Sequence, residues 1–177
     1  MKTYVVMSAV GRDRPGFVNR VMHAIRDLGG NVELQRSTRM ADEFALIVLF
    51  SLPGADADTT AAIARLDALQ ADDMSVNARK ALAPAGDRSP GTRTATLEAT
   101  GADQPGIIEA VTLLLYKHHV NVETMEYDTE GAPFTGEHLF KMTAALALPE
   151  GTNVEALQTQ LEELESQMNF DVRLEIA

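Results

Sequence analysis

Apolar and polar residues follow two periods along this chain, which predicts a mixed α and β protein. An apolar, β-branched stretch from Tyr4 to Val10 has the composition of a strand. Apolar residues then recur on one helical face between Phe17 and Leu28, and the pair Gly29-Gly30 predicts the end of that helix. Residues 44–50 are apolar at every position, which predicts a central strand covered on both faces or lying in an interface.

The segment that follows predicts a second helix and a fourth strand. The helix is expected near Thr59 to Gln70, with Ile63, Leu66 and Leu69 on its inner face. Apolar and polar residues alternate over 74–78, which is typical of an edge strand with one solvated face.

The second half of the chain repeats the first. Residues 11–18, GRDRPGFV, recur 90 positions later as GADQPGII at 101–108, and Asn-Val-Glu at 31–33 recurs at 121–123. Two motifs with one offset predict a duplicated domain. The offset grows to 96 by Pro149, because the second copy carries extra residues, chiefly at 130–136.

Each copy is predicted as strand, helix, strand, strand, helix, strand, the order of the ferredoxin-like sandwich. In the second copy, Thr152 and Glu155 have the spacing of a capping box that opens a core-facing helix. We expect an α+β protein: two βαββαβ domains in tandem, antiparallel sheets with helices on one face, and sheets paired edge to edge. The predicted domains are 1–81 and 92–177, joined by a linker at 82–91 that contains two prolines and two glycines. Domains this small gain stability by docking, so a homodimer is expected.

Composition and charge narrow the functional classes. The 177 residues include no cysteine, which excludes disulfides, thiol catalysis and cysteine metal sites. No apolar run reaches the ~18 residues of a membrane span, and residues 1–4 show no signal-peptide layout, so we expect a cytoplasmic protein without membrane partners. The net charge of −11 belongs to residues 89–177, while residues 1–88 are neutral. Such a chain repels phosphate backbones, which argues against direct nucleic-acid binding.

The repeated Asp-x-Pro-Gly turn is the candidate for chemistry. One hypothesis is purely structural: proline suits a helix start, and Asp13 caps the helix. The other is a ligand site, because a helix N-terminus carries uncommitted N–H groups that bind carboxylate. Asp13 then faces an ammonium group, and Asn31 offers both a donor and an acceptor. Together these groups suit a free amino acid.

Both copies carry the marks of the ACT domain, a small-molecule regulatory module, and the whole chain resembles a tandem of that family. A strand ends in Gly-x-Asp-x-Pro-Gly, an amphipathic helix follows, and Asn-Val opens the next strand. The residues that match are Gly11, Asp13, Pro15, Gly16 and Asn31, with Gly101, Asp103, Pro105, Gly106 and Asn121. Local sequence at 103–107, 116–122 and 132–136 resembles the glycine cleavage system transcriptional repressor family.

The resemblance implies an effector that is a free amino acid, glycine or another small one, bound between the first turn of one domain and a neighbouring domain. Family contacts carry over to Asp13, Asn31, Asp103 and Asn121, whereas at Gly11 and Gly101 only backbone is offered. Arg14 and Gln104 flank otherwise similar turns, so the two sites are expected to differ. The resemblance also implies repression through a DNA-binding transcriptional activator or other protein partner, with no catalysis and no cofactor.

Two other functional classes stay open. The turns are structural if side chains such as Arg14 or Phe17 plug them, and the protein is then an oligomerisation module or the regulatory subunit of an amino-acid metabolic enzyme. An enzyme is the remaining hypothesis, but no nucleophile elbow, P-loop or zinc pattern occurs. The adjacent His118 and His119 lack a third ligand at a fitting spacing for a metal.

Overall fold

The computed structural model describes residues 2–54, 59–67, 69–70, 74–84, 91–131 and 138–177. The chain divides into two compact units, Met1–Gly86 and Asp87–Ala177, and this boundary falls inside the predicted linker. The exact domain limits stay a prediction. Among the described residues, no helix is both long enough and apolar enough to cross a membrane.

The two units share one order of elements. The first contains β1 (Lys2–Arg12), α1 (Phe17–Asp27), β2 (Asn31–Met40), β3 (Glu43–Pro53), α2 (Thr59–Asp67) and β4 (Met74–Ala81). The second contains β5 (Thr92–Ala102), α3 (Ile107–Lys117), β6 (Asn121–Gly131), β7 (His138–Pro149), α4 (Val154–Met168) and β8 (Phe170–Ile176).

Each unit holds a four-stranded antiparallel sheet, with strand order β2-β3-β1-β4 in the first and β6-β7-β5-β8 in the second. This confirms the predicted tandem of ferredoxin-like βαββαβ domains. β4 and β8 are edge strands, as the alternating pattern indicates. Edge-to-edge pairing of the two sheets stays a prediction.

The hydrophobic core of each domain lies between one sheet face and its two helices. In the first domain, Met7 and Val48 of the sheet are fully buried with Val21 of α1 and Leu66 of α2. In the second, Leu97 and Met142 are buried with Val111 and Leu157. Burial of apolar surface against one sheet face is therefore the main stabilising term in both domains.

The strand predicted to be covered on both faces is covered on one face within its own domain. Leu46, Val48 and Phe50 of β3 are buried, whereas the intervening Ile47 is 50% exposed. Successive side chains of a strand point to opposite faces, and both helices pack on the same face. The uniform apolar run from Phe44 to Phe50 thus leaves an apolar row on the uncovered face.

Two local expectations about the helices are wrong. The Asn153 side chain caps α4 by accepting a hydrogen bond from the Ala156 amide at 3.1 Å, while the Thr152 hydroxyl donates to the Pro149 carbonyl at 2.8 Å. The predicted capping box is therefore absent: Asn153 rather than Thr152 is the cap, and Ala156, at the third helical position, has no carboxylate to complete a box. In the first domain, α2 ends at Asp67 rather than at Gln70.

Gly101, which the sequence marks as part of the turn motif, has a packing role. A Cβ atom added at Gly101 would lie 2.7 Å from Cβ and 2.9 Å from Cα of Phe170, in the neighbouring strand β8. Side-chain Cβ atoms essentially never approach a backbone that closely, so β8 would have to move. Glycine at this position lets β8 close the sheet beside the turn.

We expect Gly101→Ala to destabilise the second domain by about 1–3 kcal/mol, because overpacking forces the backbone apart. Gly131→Ala is the matched control, since an added Cβ there meets no atom of the described residues within 4 Å. Urea denaturation of both variants measures the difference. Equal stability of the two variants would contradict the packing role of Gly101.

Candidate functional site

Each Asp-x-Pro-Gly turn leads from the first strand of its domain into the first helix. The N-cap residues are Gly16 and Gly106, whose φ angles of 91° and 96° lie in the left-handed region that glycine tolerates. Among the residues that the structure describes, no side chain caps the N-terminus of either helix. The hypothesis that Asp13 caps α1 is therefore wrong, and the first-turn amides have no side-chain cap.

Backbone hydrogen bonds fix both turns to the hairpin between the second and third strands. The Asp13 amide donates to the Asp42 carbonyl at 2.8 Å, and the Asp103 amide donates to the His138 carbonyl at 2.7 Å. Each turn therefore lies next to the end of an edge strand, which is β2 in the first domain and β6 in the second. This common geometry leaves the two aspartate carboxylates free to differ in their side-chain partners.

In the first domain the carboxylate of Asp13 has a cationic partner. Arg39, on β2, places its Nε 3.1 Å from Oδ2 of Asp13. Both side chains are well exposed, so this ion pair contributes little to stability. A ligand ammonium group at Asp13 would have to compete with the guanidinium of Arg39, and the neighbouring Arg14 adds a second positive charge.

In the second domain the carboxylate of Asp103 has a neutral partner. The Tyr127 hydroxyl, on β6, donates to Oδ1 of Asp103 at 2.6 Å. The Tyr127 ring stacks on Phe140 with centroids 5.3 Å apart and planes inclined by 7°. Burial, with a smaller contribution from the bond to Asp103, raises the pKa of Tyr127 to about 12. Tyr127 therefore stays a hydrogen-bond donor at neutral pH, and the charge of Asp103 is not neutralised.

A cavity of about 400 Å³ opens at the second turn. It is lined by Asp103, Gln104, Pro105, Gly106, Ile107, Ile108, Glu109 and Tyr127. The lining includes the carboxylates of Asp103 and Glu109 and the start of α3, whose N-cap Gly106 provides no side-chain cap. Carboxylates and helix N-terminal amides can bind the two opposite ends of a zwitterion.

Gln104 has a structural bond that the sequence did not predict. Its side-chain amide donates to the Met168 carbonyl, at the end of α4. This contact ties the turn to the second helix of the domain, so the Gln104 amide is engaged before any ligand arrives. The first domain carries Arg14 at this position, which preserves the predicted difference between the two turns.

Asn31 and Asn121 lie at the far end of the sheet from the turns of their own domains. Asn31 pairs with Ser51 of β3, whereas Gly11, just before the turn, pairs with Phe44. Seven positions of β3 separate these levels, which is about 23 Å at ~3.3 Å per residue. Asn121 has the same offset in the second domain, since it pairs with Ala147 and Gly101 pairs with Phe140. One domain alone therefore cannot bring its aspartate and asparagine together.

Sequence reasoning missed Arg39 and Tyr127, which hold the two aspartates. Only the pairing of β2 with β3, and of β6 with β7, brings these residues beside the turns, and no motif marks them. Residues 132–136 of the insertion lie outside the described residues. Within the described part of the chain, no group of three or more His, Cys, Asp or Glu side chains is placed to hold a metal ion.

Comparison with known proteins places this fold in a family. Residues 3–77 match the model of the ACT domain. The glycine cleavage system transcriptional repressor of Escherichia coli K12 is 30% identical over 129 residues, which cover 73% of this chain and 66% of that protein. The chain belongs to the ACT-domain family. The repressor of the same name from Shigella flexneri matches with equal identity and coverage.

Solved structures extend the likeness over the whole ACT tandem. A protein of unknown function from Galdieria sulphuraria is 32% identical, covers 100% of this chain and 99% of its own, and has a TM-score of 0.85. A structure provisionally described as a glycine cleavage system transcriptional repressor is 20% identical with a TM-score of 0.69, covers 100% of this chain and 98% of its own, and supports the fold alone. The protein is thus an ACT-domain protein related to the two glycine cleavage system transcriptional repressors, and it aligns with about two thirds of their length.

The raised pKa of Tyr127 gives a testable pH dependence. The folded-state pKa of about 12 lies above the ordinary value of 10.0, so the folded state holds this proton more tightly than the unfolded state. The resulting stabilisation is fully present below pH 10 and is lost as the pH rises through about 12. Phenolate absorbance should therefore show an ionisation step near pH 12 that belongs to Tyr127.

Two variants separate the causes of this shift. Tyr127→Phe should remove the late ionisation step. Asp103→Asn should lower the pKa of Tyr127 only in part, because burial is the larger cause. Absence of any phenolate step above about pH 11, in protein whose circular dichroism is still native, would contradict the assignment.

Proposed function

We propose that this protein senses a small free amino acid at its Asp-x-Pro-Gly turns and controls transcription indirectly by binding a DNA-binding activator or other protein partner. The observation that carries the sensing step is the cavity at the second turn, whose lining combines the carboxylates of Asp103 and Glu109 with the uncapped start of α3. Its 400 Å³ lies in the range of small-molecule sites, roughly 300–1,000 Å³. In this proposal the protein is cytoplasmic, and it contacts neither DNA nor a membrane directly.

Glycine or another small amino acid fits the charges of the second turn. Its ammonium group is proposed to bind the carboxylate of Asp103, with Glu109 adding favourable negative potential. Its carboxylate is proposed to accept hydrogen bonds from the first amides of α3, as anions do at helix N-termini. Tyr127 positions Asp103 without cancelling its charge, because the phenol is neutral.

The first turn is proposed to prefer a more anionic ligand. Arg39 already pairs with Asp13, and Arg14 adds positive potential beside the start of α1. An ammonium group is disfavoured there and a carboxylate is favoured. The two turns therefore differ in specificity, although the backbone geometry of their helix starts is nearly the same.

The asparagines complete the sites if neighbouring domains pair through their β2 or β6 edges. Antiparallel pairing of two such edges brings the beginning of one strand beside the end of the other. Asn31 or Asn121 then reaches the end of the neighbouring sheet that carries the turn. We propose that this edge pairing, within the chain or in a homodimer, places each asparagine at a neighbour's effector. Effector binding would then stabilise the paired state, which gives the sensor an output.

Calorimetric titration with glycine, serine and the other free amino acids tests the sensing step. We expect binding to wild type, and at least a tenfold loss of affinity in Asp103→Ala because the ammonium partner is removed. Tyr127→Phe keeps the Asp103 carboxylate, so it should lose less affinity than Asp103→Ala. Asp13→Ala should weaken binding at the first turn, and melting temperatures must be measured alongside to exclude unfolding.

The control variant is Thr143→Ala, on the uncovered face of the second sheet, which should bind as wild type does. If no amino acid binds wild type at millimolar concentration, the turns are structural and the oligomerisation module becomes the better hypothesis. A sequence-selective, salt-sensitive gel shift by the purified protein would overturn the indirect mode of transcriptional control.

A further inference from the structure

A groove of about 540 Å³ runs between α3 and α4 on the helical side of the second domain. The α3 wall has the i, i+3, i+4, i+7 spacing of one helical row, and the α4 wall continues the same spacing over three turns. These rows are Ala110, Leu113, Leu114 and Lys117 on α3, and Ala156 to Gln167 on α4. At ~1.5 Å per residue the longer row extends about 16 Å, which is the length of a helix of about three turns.

The outer row of α3 exposes large apolar side chains beside this groove. Leu113 is 49% and Tyr116 is 73% exposed. At the equivalent positions of the first domain, 90 residues earlier, α1 carries His23 and Arg26. The fold therefore accommodates polar residues at both positions, and the apolar row is specific to the second domain. Exposed apolar side chains grouped in this way mark an interaction surface.

The charges around the groove are mainly negative. α3 contains one glutamate and one lysine, and α4 contains four glutamates, which gives the two helices a net charge of −4. Glu163 lies in the wall of the groove, and Glu109 lies one helical turn before Leu113. The cation in the wall is Lys117. Complementary charge favours a basic partner at this surface.

A second copy of this chain is a poor occupant of the groove. Two copies of the α3 and α4 face would bring together two surfaces of charge −4, and like charges at an interface are costly. The helical face of the first domain lacks an apolar row to fill the groove, because the exposed outer row of α1 is Asn19, His23 and Arg26. The occupant that fits both the apolar row and the charge belongs to a different protein.

We propose that the groove between α3 and α4 binds an amphipathic helix of a partner protein. The apolar stripe of that helix packs on Leu113, and its lysine or arginine side chains lie towards Glu109 and Glu163. Helices bind apolar grooves in this way through residues at i, i+3, i+4 and i+7. This inference rests on the protein-partner step of the proposed function and assigns a surface and a partner chemistry to it.

Both walls of the groove are attached to the second Asp-x-Pro-Gly turn. α3 begins there, directly after Gly106. The Gln104 side chain donates to the carbonyl of Met168, which follows Gln167 of the α4 wall. A ligand that moves this turn therefore acts on both helices that form the groove. The proposed effector site and the proposed partner site are contiguous, as a sensor with a protein output requires.

Fluorescence anisotropy with two synthetic peptides tests the groove. The probe is a labelled peptide of about 15 residues that carries leucines at i, i+3, i+4 and i+7 and lysines at the flanking positions. The control peptide has the same composition in scrambled order, so it keeps the charge and loses the apolar stripe. We expect wild type to bind the striped peptide roughly tenfold more tightly than the scrambled one. Equal affinity for the two peptides would overturn the proposal, because charge alone would then explain the binding.

Four variants locate the binding surface. Leu113→Ser should weaken binding of the striped peptide roughly tenfold, whereas His23→Ser, at the equivalent position of α1, is the matched control and should bind as wild type does. Glu163→Gln should also weaken binding. Glu98→Gln removes the same charge from the exposed sheet face opposite the helices and should have no effect. All four side chains are exposed, and circular dichroism checks that each variant is folded.

Sedimentation equilibrium separates a partner protein from a second copy of this chain. Self-association of wild type that folded Leu113→Ser loses would place a second copy in the groove and overturn the proposal. An unchanged mass, with peptide binding lost in Leu113→Ser, supports it. The peptide titrations contain no amino acid, so their outcome is separate from that of the sensing step. Wild type that binds glycine but not the striped peptide overturns the groove alone, whereas wild type that binds the peptide but no amino acid overturns only the sensing step.

Discussion

The packing of both helices against one face of a four-stranded sheet is the constraint on which the other features depend. Because β1 ends where α1 begins, the Asp-x-Pro-Gly turn lies at one end of the sheet. Because α1 runs back along the sheet, the strand after it must start at the opposite end, where Asn31 lies. The same one-sided packing leaves a sheet face and the β2 edge uncovered. The separation of Asn31 from Asp13 and the uncovered sheet surfaces therefore have one cause.

The duplication preserved the backbone of the turn and changed the charges around it. Both turns have a left-handed glycine at the helix start, and both bond their aspartate amide to the adjacent hairpin. The partner of the carboxylate differs: a guanidinium in the first domain and a half-buried phenol in the second. A cation neutralises an aspartate, whereas a neutral donor orients it and leaves its charge available. A duplicated scaffold can in this way present two recognition chemistries without any change of fold.

The sheet faces show the same division between scaffold and surface. The inward positions of β3 and β7 are apolar in both domains, because the helices must bury them. The outward positions are under no such requirement, and they carry Ile47 in one domain and Thr143 in the other. The net charge of −11 also belongs to the second half alone. Burial of the core requires apolar residues at the same inward positions in both domains. The outward positions do not contribute to that core, so the two surfaces can differ.

The sequence by itself determined the tandem repeat, the order of elements and the position of the turns, because periodicity and turn residues are local properties of the chain. It also marked Asp13 and Asp103, since the Asp-x-Pro-Gly motif is contiguous. Only the tertiary structure identified Arg39 and Tyr127 as the carboxylate partners, because strand pairing brings them there from distant positions. It alone separated Asn31 from Asp13, since their distance depends on strand register rather than on spacing along the chain. Nor could the sequence tell that β3 has one bare face, because a uniformly apolar run does not reveal which side the helices cover.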